Sequence, residues 1–172
     1  MLRHGKGRRA LRPGSLAAQT RAVDAIEIGE ATAGERAWGA RLMAASEPWL
    51  TLGRGLDVLL PAALDPDYVV LVARAAGAPL GFVRLHPRGV AGSPYVASIA
   101  VADAARGRGV GTALLRAAEA RFPSARWIFL CVSDFNPGAR ALYERLGYRL
   151  VGPLPDYVVD GRAELLLSKR LA

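Results

Sequence analysis

The chain has few of the residues that build disulfides or metal sites. Its 172 residues include one cysteine, Cys131, and two histidines. A single cysteine excludes an internal disulfide, and no Cys/His cluster has metal-site spacing. No apolar run approaches the ~18 residues that a membrane-spanning helix needs, and no secretory apolar segment precedes a cleavage site. We therefore expect a protein without metal or membrane span, in a reducing cytoplasm.

Lysine is also scarce, with two among 23 basic residues, although the net charge is +8. Residues 1–22 carry six basic residues and no acidic one, whereas the remainder has 17 basic and 15 acidic residues. The sequence therefore predicts a basic, disordered tail over residues 1–22 and one domain over residues 23–172. Nucleic-acid binding would depend on the tail, so we do not expect it of the nearly neutral domain.

Hydrophobic periodicity predicts a mixed α/β fold. Thr32-Ala-Gly-Glu35 has capping-box spacing, so a helix should begin there and run towards Ala45. A second helix is predicted over Leu56–Leu64, a third after the glycine-rich segment up to Phe122, and a fourth over Pro137–Leu146, which Gly147 should end. The predicted order is β-α-α-β-β-β-α-β-α-β-β, with about seven mostly antiparallel strands and one central crossover. That crossover would make Pro94–Val101 and Trp127–Val132 parallel.

A glycine-rich segment precedes the helix that follows this first parallel strand. In "ARGRGVGTALL", Gly107, Gly109 and Gly111 alternate with Arg106 and Arg108. A helix N-terminus offers unpaired N–H groups, and glycine lets an anion approach them. The spacing fits neither the dinucleotide fingerprint nor the P-loop. The segment therefore predicts a phosphate or diphosphate site, against the alternative of a flexible turn.

Two motifs together resemble the GNAT N-acetyltransferases. "IAVADAARGRGVGTALL" is similar to their acetyl-CoA motif, with Arg106, Gly109 and Gly111 at the pattern positions. "FNPGARALYERLGYRLVG" is similar to their second motif. The order of strands and helices also matches over the domain. Within the family, the motifs are similar to those of bacterial ribosomal-protein N-terminal alanine acetyltransferases.

The resemblance implies which residues would hold acetyl-CoA. The backbone of Ile99, Ala100 and Val101 would pair with the pantetheine arm. Beside Arg106, the diphosphate would meet the backbone amides of the glycine-rich segment: Gly107, Arg108, Gly109, Val110, Gly111 and Thr112. A bulge in this strand would separate it from its parallel neighbour and form the cleft.

Two further residues carry over, each with a structural alternative. Asn136 would contact the cofactor or its thioester, but Asn136-Pro137 is also a typical N-cap followed by proline at N1. Tyr143 would contact the cofactor and act as the general acid that protonates the leaving thiolate. It also lies on the core-facing side of its helix, together with Ala139, Leu142 and Leu146.

The acceptor side is less well specified. The related alanine acetyltransferases carry a glutamate as base where this chain has Cys131, and a buried thiol is a poor substitute. Ser98, Asp134 and Glu47 are weak alternatives, so the base stays open. Glu47, Trp49 and Tyr157 are candidate acceptor contacts, although Trp49 could simply pack its helix. His86 is expected at the surface.

The resemblance implies transfer of an acetyl group from acetyl-CoA to a primary amine, either of a small molecule or of a protein N-terminus. A non-catalytic acyl-CoA-binding sensor on the same fold is the alternative. Dimers are common on this scaffold, so a homodimer is an expected assembly.

Overall fold

The computed structural model describes residues 25–171. The predicted tail over residues 1–22 lies outside them. One seven-stranded sheet organises the described chain, with strand order β1-β2-β3-β4-β5-β7-β6. Its strands are β1 (Glu27–Glu30), β2 (Val69–Ala75), β3 (Ala78–Val90), β4 (Ser93–Val101), β5 (Trp127–Ser133), β6 (Arg149–Pro155) and β7 (Ala163–Arg170).

The sheet is antiparallel except where β4 meets β5, so the predicted mixed architecture is confirmed. β2 and β3 form a hairpin around Gly77. β3 continues to Val90, where it pairs with Ser93.

Within the described residues, four α-helices flank the sheet: α1 (Ala33–Ala44), α2 (Leu56–Leu64), α3 (Val110–Ala120) and α4 (Pro137–Arg145). A 3-10 turn, Asp103–Ala105, leads from β4 towards α3. Helix α4 ends as predicted, with Gly147 at φ +92° directly after the last turn. None of the helices in residues 25–171 is long and apolar enough to cross a membrane.

The two sheet faces carry separate cores. On one face, α3 and α4 pack on the sheet through Leu114, Leu115 and Tyr143. On the other face, α1 and α2 pack through Met43 and Leu59. Alternation along each strand therefore decides which helix pair a side chain meets.

The start of α1 is fixed by the predicted capping box. The Thr32 N–H donates to Glu35 Oε2 at 2.8 Å, and the Glu35 N–H donates to Thr32 Oγ1 at 3.3 Å. Arg74 of β2 adds two bonds to the same carboxylate, from Nε at 2.6 Å and Nη2 at 2.8 Å. These Arg74 bonds are the main reason that the pKa of Glu35 falls from 4.5 to about 2. One carboxylate thus joins the α1 N-terminus to the sheet.

We predict that Glu35→Gln lowers the free energy of unfolding by about 1–2 kcal/mol at pH 7, because the charged bonds to Arg74 are lost. The native-state pKa of Glu35 is depressed, so its stabilisation is fully present above pH 4.5 and is lost as the pH falls towards 2. Urea unfolding of both proteins from pH 7 to pH 2.5 measures this difference.

The matched control is Glu144→Gln, which removes an exposed ion pair with Arg140 at 2.8 Å. Its effect should stay within about 0.5 kcal/mol. Equal losses for both variants, or a Glu35→Gln difference that does not change with pH, would contradict the role given to Glu35.

Candidate active site

A cleft opens where the parallel strands β4 and β5 separate. Only Tyr95↔Phe129 and Val96↔Leu130 pair in this ladder. Between β3 and β4 the register shifts, because Arg84 pairs with Ser98 whereas Leu85 pairs with Val96. The extra residue, Ala97, is the predicted bulge in β4. From this point on, β4 stays paired with β3 and leaves its other edge facing the cleft.

The N-terminus of α3 lies at one end of this cleft and has no side-chain cap. Gly109 is its N-cap residue, in the left-handed region at φ +82°. The Ala113 N–H makes the first helical bond, to the Gly109 carbonyl at 2.9 Å. The preceding amides of Val110, Gly111 and Thr112 therefore have no acceptor within the helix.

The glycine-rich segment leaves room for a ligand at these amides. Gly107 also has positive φ, +72°, and a Cβ built on either Gly107 or Gly109 would have no atom within 4 Å. Arg106 and Arg108 are exposed beside them. Arg106 is held by Asp103 at 2.9 Å and points Nε at the Val101 carbonyl at 3.4 Å. The segment combines open approach, free donors and positive charge.

Gly111 has a different reason to be glycine. Whereas Gly109 caps α3, Gly111 lies within the helix. A Cβ on Gly111 would come within 3.3 Å of Leu142 Cδ2, so this glycine lets α3 and α4 pack closely.

Both interpretations of Asn136 are compatible with the structure. Asn136 caps α4, its Oδ1 accepting from the Ala139 N–H at 3.2 Å, with Pro137 at N1. The cap uses only Oδ1, so the Nδ2 group is not part of this bond. The N-cap prediction is confirmed, and the proposed ligand contact stays a prediction.

Tyr143 packs in the main core and is 6% exposed. Its ring meets Tyr148 edge-on, with centroids 6.1 Å apart. Burial raises the pKa of Tyr143, and the negative charge of Glu164 raises it further. The phenol therefore keeps its proton at neutral pH, which is the state that a general acid needs.

Cys131 lies in β5 and stays a thiol. Burial raises its pKa, and the charge of Glu164 adds to this, while a hydrogen bond with Tyr95 opposes it. Burial likewise raises the pKa of Tyr95, with further contributions from Cys131 and Tyr157. Cys131 is thus not a base at neutral pH.

A buried carboxylate that the sequence analysis missed lies next to Cys131. Glu164 on β7 is 8% exposed and directly opposite Ser133 on β5. The Ser133 hydroxyl donates to Glu164 Oε1 at 2.5 Å. Burial raises the pKa of Glu164, against the lowering effect of the Ser133 bond. The only signal in the sequence was an acidic residue inside the apolar segment "AELLL".

The predicted acceptor contacts lie on two loops. Trp49 is half-buried and packs against the α1–α2 cluster, as expected if its role is structural. Glu47 is exposed and accepts from the Thr51 N–H at 3.2 Å. Tyr157 is 67% exposed. From the α1–α2 segment, Arg54 influences the pKa of Glu164, although the sequence analysis did not select it.

The remaining candidates have local roles. Asp134 Oδ2 accepts from the Ala163 N–H at 3.1 Å, which is a loop cap. Ser98 lies opposite Arg84. His86 is partly buried rather than fully exposed, and its ring meets Tyr68 edge-on. Residues 25–171 contain no group of three or more His, Cys, Asp or Glu side chains placed to hold a metal ion.

The model of the acetyltransferase (GNAT) family matches residues 34–148, and the chain belongs to this family. Over 82 residues it is 38% identical to an uncharacterized N-acetyltransferase of Methanocaldococcus jannaschii, covering 46% of this chain and 53% of that protein. Over 80 residues it is 38% identical to an N-alpha-acetyltransferase of Sulfurisphaera tokodaii, covering 45% and 48%. The matched segment thus spans about half the length of these curated relatives.

Solved structures share the fold. An acetyltransferase of the GNAT family from Desulfovibrio desulfuricans superposes with a TM-score of 0.73, at 20% identity, covering 86% of this chain and 100% of that one. An aminoglycoside 6'-N-acetyltransferase complexed with coenzyme A superposes with a TM-score of 0.71, at 18% identity, covering 85% and 97%.

We predict that Gly109→Ala lowers the free energy of unfolding by about 1 kcal/mol, because alanine is disfavoured in the left-handed region. Urea unfolding measures the change. The control is Gly138→Ala in α4, where a Cβ meets no atom within 4 Å and φ is not positive. That variant should gain up to about 1 kcal/mol, so a gain at position 109 would contradict the assigned cap geometry.

Proposed function

We propose that this chain transfers the acetyl group of acetyl-CoA to a primary amine, either of a small molecule or of a protein N-terminus. The observation that carries the proposal is the uncapped α3 N-terminus beside the open edge of β4. Family membership supports the reaction type. One relative by sequence is an N-alpha-acetyltransferase, and one structural relative acts on aminoglycosides, so both acceptor classes are retained.

The residues present fit acetyl-CoA, which is a substrate of the reaction. A diphosphate suits the free amides of Val110, Gly111 and Thr112, and the exposed Arg106 and Arg108 add positive charge. A pantetheine arm contains amide groups that can pair with a strand. The ladder of β4 with β5 ends at Val96, so the β5-facing edge over Ile99, Ala100 and Val101 has no strand partner and offers backbone groups to these amides. The Val101 carbonyl in this segment also accepts from Arg106 Nε at 3.4 Å.

The side chains at the cleft can perform the steps of aminolysis. The thioester supplies an activated acyl group. Tyr143, protonated and buried, would donate a proton to the leaving sulfur, whose thiol has a pKa of about 8.5. Asn136, held at the N-cap of α4, would orient the thioester through its Nδ2 group. The single cysteine is consistent with a cytoplasmic site of action, which forms part of this proposal.

Cys131 favours one alternative. A family member without a base would bind acyl-CoA and act as a sensor rather than as an enzyme, and the Cys131 thiol is not a base at neutral pH. The two functions differ in turnover but not in coenzyme A binding.

We predict that the full-length chain binds coenzyme A and releases it from acetyl-CoA when an amine is present. Calorimetry with coenzyme A measures the first property. Thiol release over a panel of short peptides with free N-termini, an aminoglycoside and simple alkylamines measures the second. Binding without release by any amine would support the sensor, and absence of binding would reject both functions.

We predict that Tyr143→Phe lowers kcat on the order of 10²-fold while the coenzyme A affinity stays within about twofold, because only the donated proton is lost. Tyr148→Phe is the matched control, since it removes a phenol from the neighbouring buried ring. Turnover of Tyr143→Phe equal to that of Tyr148→Phe would remove Tyr143 from the mechanism.

A further inference from the structure

Glu164 and Ser133 are both buried, at 8% and 4% exposure. A buried carboxylate is costly unless it is well compensated. Here one hydroxyl donates to it, from Ser133 Oγ to Oε1 at 2.5 Å, and no lysine or arginine forms an ion pair with it within the described chain. A buried carboxylate kept with a single hydroxyl donor is a candidate functional group.

The position of Glu164 follows from strand register. It pairs across the sheet with Ser133, so both side chains lie on one face, which they share with Cys131 two residues earlier. The intervening Val132 faces the α3–α4 core. Glu164 therefore lies on the opposite face of the sheet, the face on which α1 and α2 pack against β3 and β4. Ser133 is the last residue of β5, where that strand has already separated from β4.

The charged and titratable groups around Glu164 come from each element near it. They are Cys131 and Ser133 of β5, Tyr95 of β4, Tyr143 of α4, Asp134 of the following loop and Arg54 of the α1–α2 segment. Burial is the largest influence and raises the pKa of Glu164, with Asp134 acting in the same direction. A raised pKa makes the carboxylate a stronger base than an exposed one.

On the basis of the proposed function, we propose that Glu164 is the general base that accepts a proton from the acceptor ammonium group, directly or through one water. The nitrogen lone pair then forms the C–N bond and the C–S bond breaks, its electron pair going to sulfur. The ammonium loses two protons in all. One passes through Glu164 to solvent, and the other replaces the proton that Tyr143 has given to sulfur, so that the phenol is restored.

The chain itself supplies the reason for this placement. Cys131 cannot take the proton, and Glu164 lies diagonally across from it on the same face. Diagonal neighbours on adjacent strands are about 7–8 Å apart, which is within the reach of a glutamate side chain or one bridging water. Glu164 and Tyr143 would then act as base and acid from the two faces of the sheet, on either side of the gap that opens where β4 and β5 separate.

The test is the pH profile of kcat/KM from pH 5.5 to 9, measured with the fastest amine of the panel. Glu164→Gln should lower kcat/KM on the order of 10²-fold and abolish the increase of kcat/KM with pH on the acidic side of the profile. Its affinity for coenzyme A should stay within about twofold of the wild-type value. Glu164→Asp should keep that rise at reduced rate. Glu119→Gln is the control, because Glu119 is another partly buried carboxylate, bound to Lys169 at 2.6 Å.

A second measurement does not depend on turnover. The glutamate carboxyl groups are labelled with ¹³C, and the Glu164 resonance is assigned as the one that Glu164→Gln lacks. This resonance should titrate at a pH above the usual range for glutamate, and it should shift when coenzyme A is added. A purely structural Ser133–Glu164 pair predicts lower stability of Glu164→Gln, an unchanged pH profile and no response to coenzyme A, and that result would overturn the proposal. If the wild type releases no coenzyme A with any amine, the proposed function fails instead, and the resonance still decides whether Glu164 lines the cleft.

Discussion

The cleft depends on one irregular pairing in the centre of the sheet. β4 contains one residue more than β3 can pair, at Ala97, and from there it no longer follows β5. If the parallel ladder had continued, the backbone N–H and C=O groups on this edge of Ile99 to Val101 would be hydrogen-bonded to β5. The α3 N-terminus would then face a closed surface. The bulge therefore leaves backbone donors and acceptors of β4 unpaired at the place where the α3 amides are also free. The proposed contacts with the pantetheine arm and the diphosphate depend on both sets of groups being available there.

The sequence predicted features whose cause is local. The capping box of Thr32 and Glu35, the Asn136-Pro137 cap and the stop at Gly147 each depend on a few adjacent residues, and all three are confirmed. The order of elements followed from periodicity. The register shift at Ala97 was expected only through the family resemblance, because a bulge depends on the pairing partner rather than on the strand itself. Glu164 was missed for the same reason, since its partner Ser133 lies 31 positions away in the chain.

Asn136 and Tyr143 show why a structural role does not exclude a chemical one. Asn136 uses one polar atom to cap α4, and this holds the other in a defined direction. Tyr143 is buried by the same packing that gives its helix an apolar face, and burial keeps its phenol protonated. Hydrophobic periodicity alone could not distinguish the structural role from the chemical one. The core position itself gives each group the orientation or the protonation state that the chemistry needs.

The same logic explains how the position of a base can differ within one fold. A general base must lie close enough to the attacking nitrogen to accept its proton. Which strand carries the base matters only because it sets the distance between the base and that nitrogen. β5 and β7 are adjacent and antiparallel, so a residue of β7 opposite Ser133 shares the face and the cleft end with residues of β5. Compared with a carboxylate at position 131, Glu164 lies nearer the end where β5 terminates. An acceptor served by Glu164 would therefore place its nitrogen nearer the loops that carry Arg54 and Tyr157 than an acceptor served from position 131 would, and those loops would set its specificity.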